Sequence, residues 1–505
     1  MSTTIGGWEF GRRRAPSRAR AHVAGFGLGR IGLIAVLVTF VVASLNFALQ
    51  MQAFSGPDES AHLGYAHSIT SGRLPEIDDP IEAPIEATDW RQNIAEAGDA
   101  EHRSVWVANH PPLFYVAVAP LIWLSDSLDR GDGGLLFVRL ANVFFATLGL
   151  VMTNALAMIV TGGSRRVALA ATAVAAFLPL VHYTFGAGIN DGLAFLSATG
   201  VLLAAARLVT VGFRQRDLIL VGAWAVVAAG TRASAMFLAV LVVLFVAAHQ
   251  ALRSDVGRAA LARRSAMIIG VGLGPAVLLF GWFYARNVAL YGDLTGSSFL
   301  LDYFDFPEGS NLLEVVTTGS LWSDVYHRLT STSAPGERYQ TAPFLVAAGF
   351  GAAALIGVIL TARRGRRAAA TVRRPPFALC GFATAAVVGM LAVHASDGGS
   401  PHARYLLPAL GAGCTLFAIG LDRLWPGVLP AAAAATACLW SAHFIPSQLW
   451  DIGGYFAANP PLRGIARSAL GLIGTVAASV ALGTLVYLAA DAMRRASTTA
   501  TTDAS

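Results

Sequence analysis

Long apolar runs alternate with short, arginine-bearing polar segments along nearly the whole chain. A helix needs about 20 mostly apolar residues to cross a bilayer, and runs of that order stand near 31–53, 135–160, 167–185, 191–210, 217–231, 233–250, 265–285, 342–361, 376–395, 405–420, 427–446 and 466–490. The pattern predicts an all-α polytopic membrane protein with about twelve transmembrane helices. One further apolar stretch, 112–124, is too short to span and carries Pro120, Trp123 and Tyr115. It reads as an interfacial or re-entrant helix.

Basic residues in short loops stay on the cytoplasmic side. Counting from a cytoplasmic N-terminus puts Arg165-Arg166, Arg214, Arg216, the run Arg253 to Arg264, the run Arg363 to Arg374, Arg423 and Arg494-Arg495 all inside, with the C-terminus inside as well. Residues 1–30 form a basic cytoplasmic segment, 31–495 the transmembrane domain, and 496–505 an Ala/Thr/Ser-rich tail expected to be disordered. The first apolar run exceeds the roughly 7–15 residues of a signal-peptide core, so it is expected to remain as an anchor. Facing outward are 54–134, 286–341 and the short turns near 186–190, 396–404 and 447–465.

Composition sharpens this picture. The chain is 55% hydrophobic and 13% charged, with a mean hydropathy of +0.59, which excludes a soluble globular protein. Lysine is absent, and the net charge of +6 comes from arginines clustered at segment ends, a topological signature rather than a nucleic-acid one. Cys380, Cys414 and Cys438 stand singly in apolar runs and read as small core residues.

The first outer loop is the unusual one. It holds Asp58, Glu59, Glu76, Asp78, Asp79, Glu82, Glu86, Asp89, Glu96, Asp99 and Glu101, while Pro75, Pro80 and Pro84 forbid one long helix. Short helices on the membrane surface, joined by extended pieces, are expected. Asp58 and Glu59 follow Pro57, which suits the first position of a helix, and Asp58 would share a face with His62 one turn on. Such a carboxylate can take a proton from a hydroxyl or bind a divalent cation; the plainer alternative is a helix cap. Asn190-Asp191, in a turn on the same side, offers a second carboxylate, and a cap is again the plainer reading. Asp58 and Asp191 together are the candidate metal ligands. Arg232, Arg286 and Arg404 stand at outer helix ends against the positive-inside trend, as phosphate holders or as snorkelling anchors. Arg286-Asn287 with Tyr291-Gly292-Asp293, and His402-Ala403-Arg404-Tyr405, are tighter groupings. His110 before Pro111-Pro112 could donate to a bound anion or mark a structural turn.

In this order, the motifs resemble the GT-C superfamily of membrane glycosyltransferases, which includes protein mannosyltransferases and the aminoarabinose transferases of lipid A. The likeness rests on Pro57-Asp58-Glu59-Ser60-Ala61-His62, His110-Pro111-Pro112-Leu113, Arg139-Leu140, Asn190-Asp191, Arg286-Asn287 with Tyr291-Gly292-Asp293, and Arg404-Tyr405-Leu406-Leu407-Pro408. It implies a polyprenyl-phosphate-sugar donor, an inverting transfer to an acceptor hydroxyl on a cell-envelope glycan, glycolipid or protein, and a multi-pass protein of a bacterial plasma membrane. By the same resemblance Asp58 would activate the acceptor, with Glu59 and Asp191 in the catalytic group. His62, His110, Asn190, Arg232, Arg286, Asn287, Tyr291, His402, Arg404 and Tyr405 would bind substrate. A departure is His110, where many members carry Lys. Topology and outward acids alone would also suit a lipid-linked glycan transporter or flippase, or a non-catalytic assembly subunit. A transporter would place ionisable residues near the bilayer midplane, where these spans hold few.

Overall fold

The computed structural model describes residues 18–51, 53–54, 56–81, 104–128, 134–253, 257–307, 309–330, 341–363, 372–442 and 460–502. In chain order the helices are α1 (Arg18–Gln50), α2 (Glu59–Thr70), α3 (Leu113–Ser127), α4 (Leu135–Val160), α5 (Arg165–Phe177), α6 (Pro179–Gly186), α7 (Asp191–Val211), α8 (Gln215–Thr231), α9 (Ala233–Arg253), α10 (Arg258–Tyr291), α11 (Ser297–Tyr303), α12 (Leu312–Thr317), α13 (Gly319–Thr330), α14 (Thr341–Arg363), α15 (Arg374–Ser396), α16 (Leu410–Leu424), α17 (Val428–Ala442) and α18 (Pro460–Thr502). Short 3₁₀ turns cover Trp106–Asn109 and Ala403–Ala409. Among the described residues there is no strand, only an isolated bridge between Pro80 and Ser104.

A helix stands at each of the twelve expected runs. Among the described residues nine meet the length and apolarity needed to cross a membrane, and a tenth forms if α5 and α6, bent by 60° at Leu178, count as one span. The bend has a local cause, because Pro179 cannot donate to the preceding turn. The remaining two, α8 with 17 residues and α17 with 15, are shorter.

The polar ends of these helices gather in two opposite groups. At one end Arg166 pairs with Asp491, the Arg373 amide donates to the Val160 carbonyl at 2.8 Å, and Arg207 pairs with Asp217 at 2.9 Å. Arg166 and Arg373 belong to the short loops expected inside, and Arg207 lies near the end of α7. Asp58, the start of α4, the start of α7 and the α8–α9 junction lie at the other end. Several sequence expectations change in detail. Helix α1 begins within the basic N-terminal segment. Helix α18 runs on to Thr502, seven residues into the tail expected to be disordered from Ala496. The 286–341 stretch contains α11, α12 and α13 rather than an open loop. Glu82, Glu86, Asp89, Glu96, Asp99 and Glu101 of the acidic loop, and the outer turn at 447–459, lie outside the described residues.

Helix α2 differs most from a surface helix, since Glu59 to Ser68 are all buried. It packs against α3, whose Phe114, Tyr115, Val118 and Ile122 face inward while Val116, Trp123 and Leu124 are exposed. That two-faced, 15-residue helix has the character of an interfacial element. The three cysteines are buried and free, as expected. Close helix approach uses small residues: a Cβ on Gly357 of α14 would fall on the Gly420 carbonyl of α16.

One buried ion pair locks the entry to the polar end. Arg139, near the start of α4, donates from Nε to Glu59 Oε1 at 2.7 Å and from Nη2 to Oε2 at 2.6 Å. Its Nη1 holds the Ala48 and Met51 carbonyls at the end of α1, at 2.8 and 2.9 Å. The Gly188 and Phe54 amides complete the carboxylate shell at 2.7 and 3.0 Å. Removing one partner leaves an uncompensated buried charge, a loss of about 3–5 kcal/mol. Arg139→Met should therefore lower the thermal unfolding midpoint in detergent far more than Arg328→Met, which breaks the exposed Arg328–Asp324 pair; similar losses for the two would contradict this assignment.

Candidate functional site

Glu59 sits first in α2, so its tether fixes the residue before it. Asp58 has φ 58° and ψ 11°, a left-handed conformation uncommon outside glycine. Its side chain makes no cap bond to α2 and instead pairs with Arg404, both side chains being almost fully buried. The cap alternative is therefore not realised. A second pair forms beside the first. Asp191, opening α7, pairs with Arg232 from the extended junction between α8 and α9.

Tyr405 joins the two pairs. The Arg404 and Arg232 guanidiniums lie 5.4 and 5.5 Å from the centre of its ring, within cation–π range. Four sequence candidates from separate elements thus converge with Tyr405 on one spot. Neither arginine is a snorkelling anchor. Two polar atoms there are buried without a hydrogen-bond partner, Arg404 Nε and Asp191 Oδ2.

His62 and His110 line the same site, their rings 5.7 Å apart. His62 does not hydrogen-bond Asp58, whose carboxylate pairs with Arg404; His62 Nδ1 hydrogen-bonds the Tyr115 hydroxyl at 2.9 Å. His110 Nδ1 meets Asn190 Nδ2 at 3.2 Å. Burial, then the Arg232 and Arg404 charges, hold both imidazoles well below their ordinary range. His402, whose Nδ1 accepts from the Arg404 amide at 3.2 Å, is lowered to about 3 by burial and then Arg404.

The other candidates divide. Glu59, grouped with the catalytic residues on sequence, has two donors on each oxygen, so its place is structural. Arg286 lies to one side, its Nη2 donating to the Pro75 carbonyl at 2.7 Å, and Tyr291 accepts from the Ile77 amide at 3.1 Å. Asn287 links Asn109 and Leu294 through their carbonyls, at 3.0 and 3.1 Å. Arg286 therefore flanks the Asp58–Asp191 cluster instead of joining it. Tyr65, stacked on Tyr115, and Thr231, whose carbonyl accepts from Asn190 Nδ2, support the site without having been singled out on sequence. Arg139 stood there within the Arg139-Leu140 motif of the resemblance, with no role of its own.

Asp58 and Asp191 were the candidate metal ligands. Among the described residues no three His, Cys, Asp or Glu side chains gather as a metal site. Each carboxylate faces a guanidinium, so a dication between them would meet two positive groups at contact distance. This arrangement does not fit a divalent ion.

An apolar cavity of about 530 Å³ lies alongside. Leu406 and Leu407, which follow Tyr405, form part of its wall with Leu178, Phe350, Phe417 and Trp440.

No protein-family model matches the chain, and no curated protein matches it. Among solved structures it is similar to ArnT from Cupriavidus metallidurans bound to undecaprenyl phosphate, at 16% identity and a TM-score of 0.49, covering 92% of this chain and 78% of that one. It is also similar to ArnT from Cupriavidus metallidurans in the apo state, at 17% identity and a TM-score of 0.42, covering 94% and 76%. Neither likeness assigns an activity to this chain.

The neutral histidines give a pH dependence. A histidine lowered in the folded state binds fewer protons there than when unfolded, so stability is full above about 6.5 and falls as pH drops toward 3. Thermal melts from pH 8 to 4 should show a midpoint falling below pH 6.5, and His402→Asn should flatten part of that slope.

Proposed function

We propose that this protein is a membrane glycosyltransferase that moves a hexosyl or pentosyl group from a polyprenyl-phosphate donor to an acceptor hydroxyl. The observation that carries the reading is the meeting of two carboxylate–guanidinium pairs over Tyr405, whose chain neighbours Leu406 and Leu407 line an apolar cavity. A lipid-linked sugar presents the same sequence of chemistries: an apolar chain, a phosphate and a reacting carbon.

The isoprenoid chain occupies the cavity lined by Leu406 and Leu407, and its phosphate lies against Arg404 and Arg232. Phosphate binding competes with Asp58 for Arg404 and frees that carboxylate. Asp58 then takes the acceptor hydroxyl proton as the acceptor oxygen attacks the anomeric carbon. The bond from that carbon to the phosphate oxygen breaks, its electron pair leaves with polyprenyl phosphate, and the configuration inverts. The guanidiniums stabilise the growing phosphate charge. Asp191 holds Arg232 in place, and His62, His110, Asn190, His402 and Tyr405 shape the surrounding pocket. The site faces the outer side of a bacterial plasma membrane, where the acceptor is a cell-envelope glycan, glycolipid or protein. No step passes through a metal.

Purified protein in lipid vesicles, given radiolabelled polyprenyl-phosphate sugars, tests this. Asp58→Asn should reduce transfer about 10²-fold or more, and Arg404→Ala by a similar factor. Equal transfer by wild type and Asp58→Asn would sink the role of Asp58, and no transfer from any donor would sink the enzyme reading.

A further inference from the structure

Beside the paired carboxylates runs a band of polar atoms that the transfer chemistry does not use. Asn109, Asn190 and Asn287 come from three elements: the 3₁₀ turn at Trp106–Asn109, the residue before α7, and the end of α10. They are contiguous, because Asn287 Nδ2 donates to the Asn109 carbonyl at 3.0 Å and Asn190 Nδ2 meets the neighbouring His110 ring at 3.2 Å. Gly296 lets the following turn press in, since a Cβ there would lie 3.2 Å from the Asn109 Cβ.

Each amide has its orientation fixed by its nitrogen. Asn109 Nδ2 donates to the Thr295 carbonyl at 2.6 Å, Asn190 Nδ2 to the Thr231 carbonyl at 3.1 Å, and Asn287 Nδ2 to two backbone carbonyls. A carbonyl can only accept, so the nitrogen must face it and the amide oxygen must point the other way. All three oxygens are buried and have no partner. Two donors beside them share that state, Trp106 Nε1 and Arg286 Nη1. Buried polar groups are nearly always satisfied, and one such atom left unmade costs about 1–3 kcal/mol. Five such atoms lie on residues joined by hydrogen bonds or chain adjacency.

Three acceptors and two donors on uncharged and cationic groups match hydroxyls, which give one hydrogen bond and accept others. We propose that Asn109, Asn190 and Asn287, with Trp106 and Arg286, form a subsite that holds the hydroxyls of the donor's sugar ring. Sugar hydroxyls donate to the three amide oxygens and accept from the indole and guanidinium N–H groups. The proposal rests on the donor reading above and adds where the sugar lies: on the flank of the cluster toward α10, away from the lipid cavity.

Binding, rather than transfer, tests it. Wild type, Trp106→Phe and Asn109→Leu in vesicles are titrated with polyprenyl phosphate and with the same lipid carrying glucose, mannose or arabinose. Trp106→Phe removes the indole N–H yet retains a ring against Phe304, 5.7 Å away in the wild type, so its fold is preserved should Asn109→Leu fail to fold. At least one sugar-bearing lipid should bind wild type about 10-fold more tightly than bare polyprenyl phosphate. Each variant should lose about 3- to 10-fold of that difference with bare-lipid affinity unchanged. Equal binding of bare and sugar-bearing lipids by wild type overturns the subsite and leaves the donor reading standing, as does a variant that weakens both lipids equally. Binding of no lipid overturns both.

Discussion

The polar end of this protein depends on a pair of charges that water does not reach. Glu59 and Arg139 are both buried, and their interaction closes because both carboxylate oxygens and four guanidinium N–H groups are matched: two bonds between them, two backbone amides on the carboxylate and two carbonyls at the end of α1 on the guanidinium. In a low-dielectric interior such an arrangement is all or nothing. It joins the end of α1, the start of α2, the start of α4 and the turn before α7. Those are the elements that carry Asp58 and Asp191. The left-handed backbone of Asp58 is sustained by that tether one residue away.

Charge balance explains why the neighbouring site can exist buried among apolar helices. Two carboxylates meet two guanidiniums, and the surrounding histidines stay neutral because burial and nearby cations both oppose their protonation. Tyr405 lets the two arginines lie close, since an aromatic face tolerates cations on it. The cluster is neutral as a whole yet retains an unpartnered donor on Arg404 and acceptor on Asp191. An anionic ligand can enter by exchanging with a carboxylate, without a bare charge being exposed to the apolar interior. This is the physical basis of the proposed transfer, in which one event binds phosphate and releases a base.

The apolar run lengths determined the fold class by themselves, because a bilayer allows few alternatives to helices that satisfy their own backbone. Boundaries such as Leu135–Val160 follow directly from where polarity returns. The arginine pattern separated two ends of the molecule, and Asp58, Asp191, Arg232 and Arg404 could be marked because each is a charge at an apolar run's edge. Partnership was a different matter. Glu59 and Asp58 are adjacent and chemically alike, yet one is saturated and the other faces a single arginine. Nothing in their order distinguishes them, because the distinction lies in Arg139 and Gly188, 80 and 129 residues away. Arg286 and Arg404 also looked equivalent, and only packing of α10 against the first loop set Arg286 apart. The asparagine oxygens were invisible for a similar reason: an amide's free end is known only once its nitrogen has a partner. Hydrophobic periodicity thus told which residues lie at the polar end, and the tertiary structure decided which of them meet, because a short-range polar contact depends on distances that linear order does not encode.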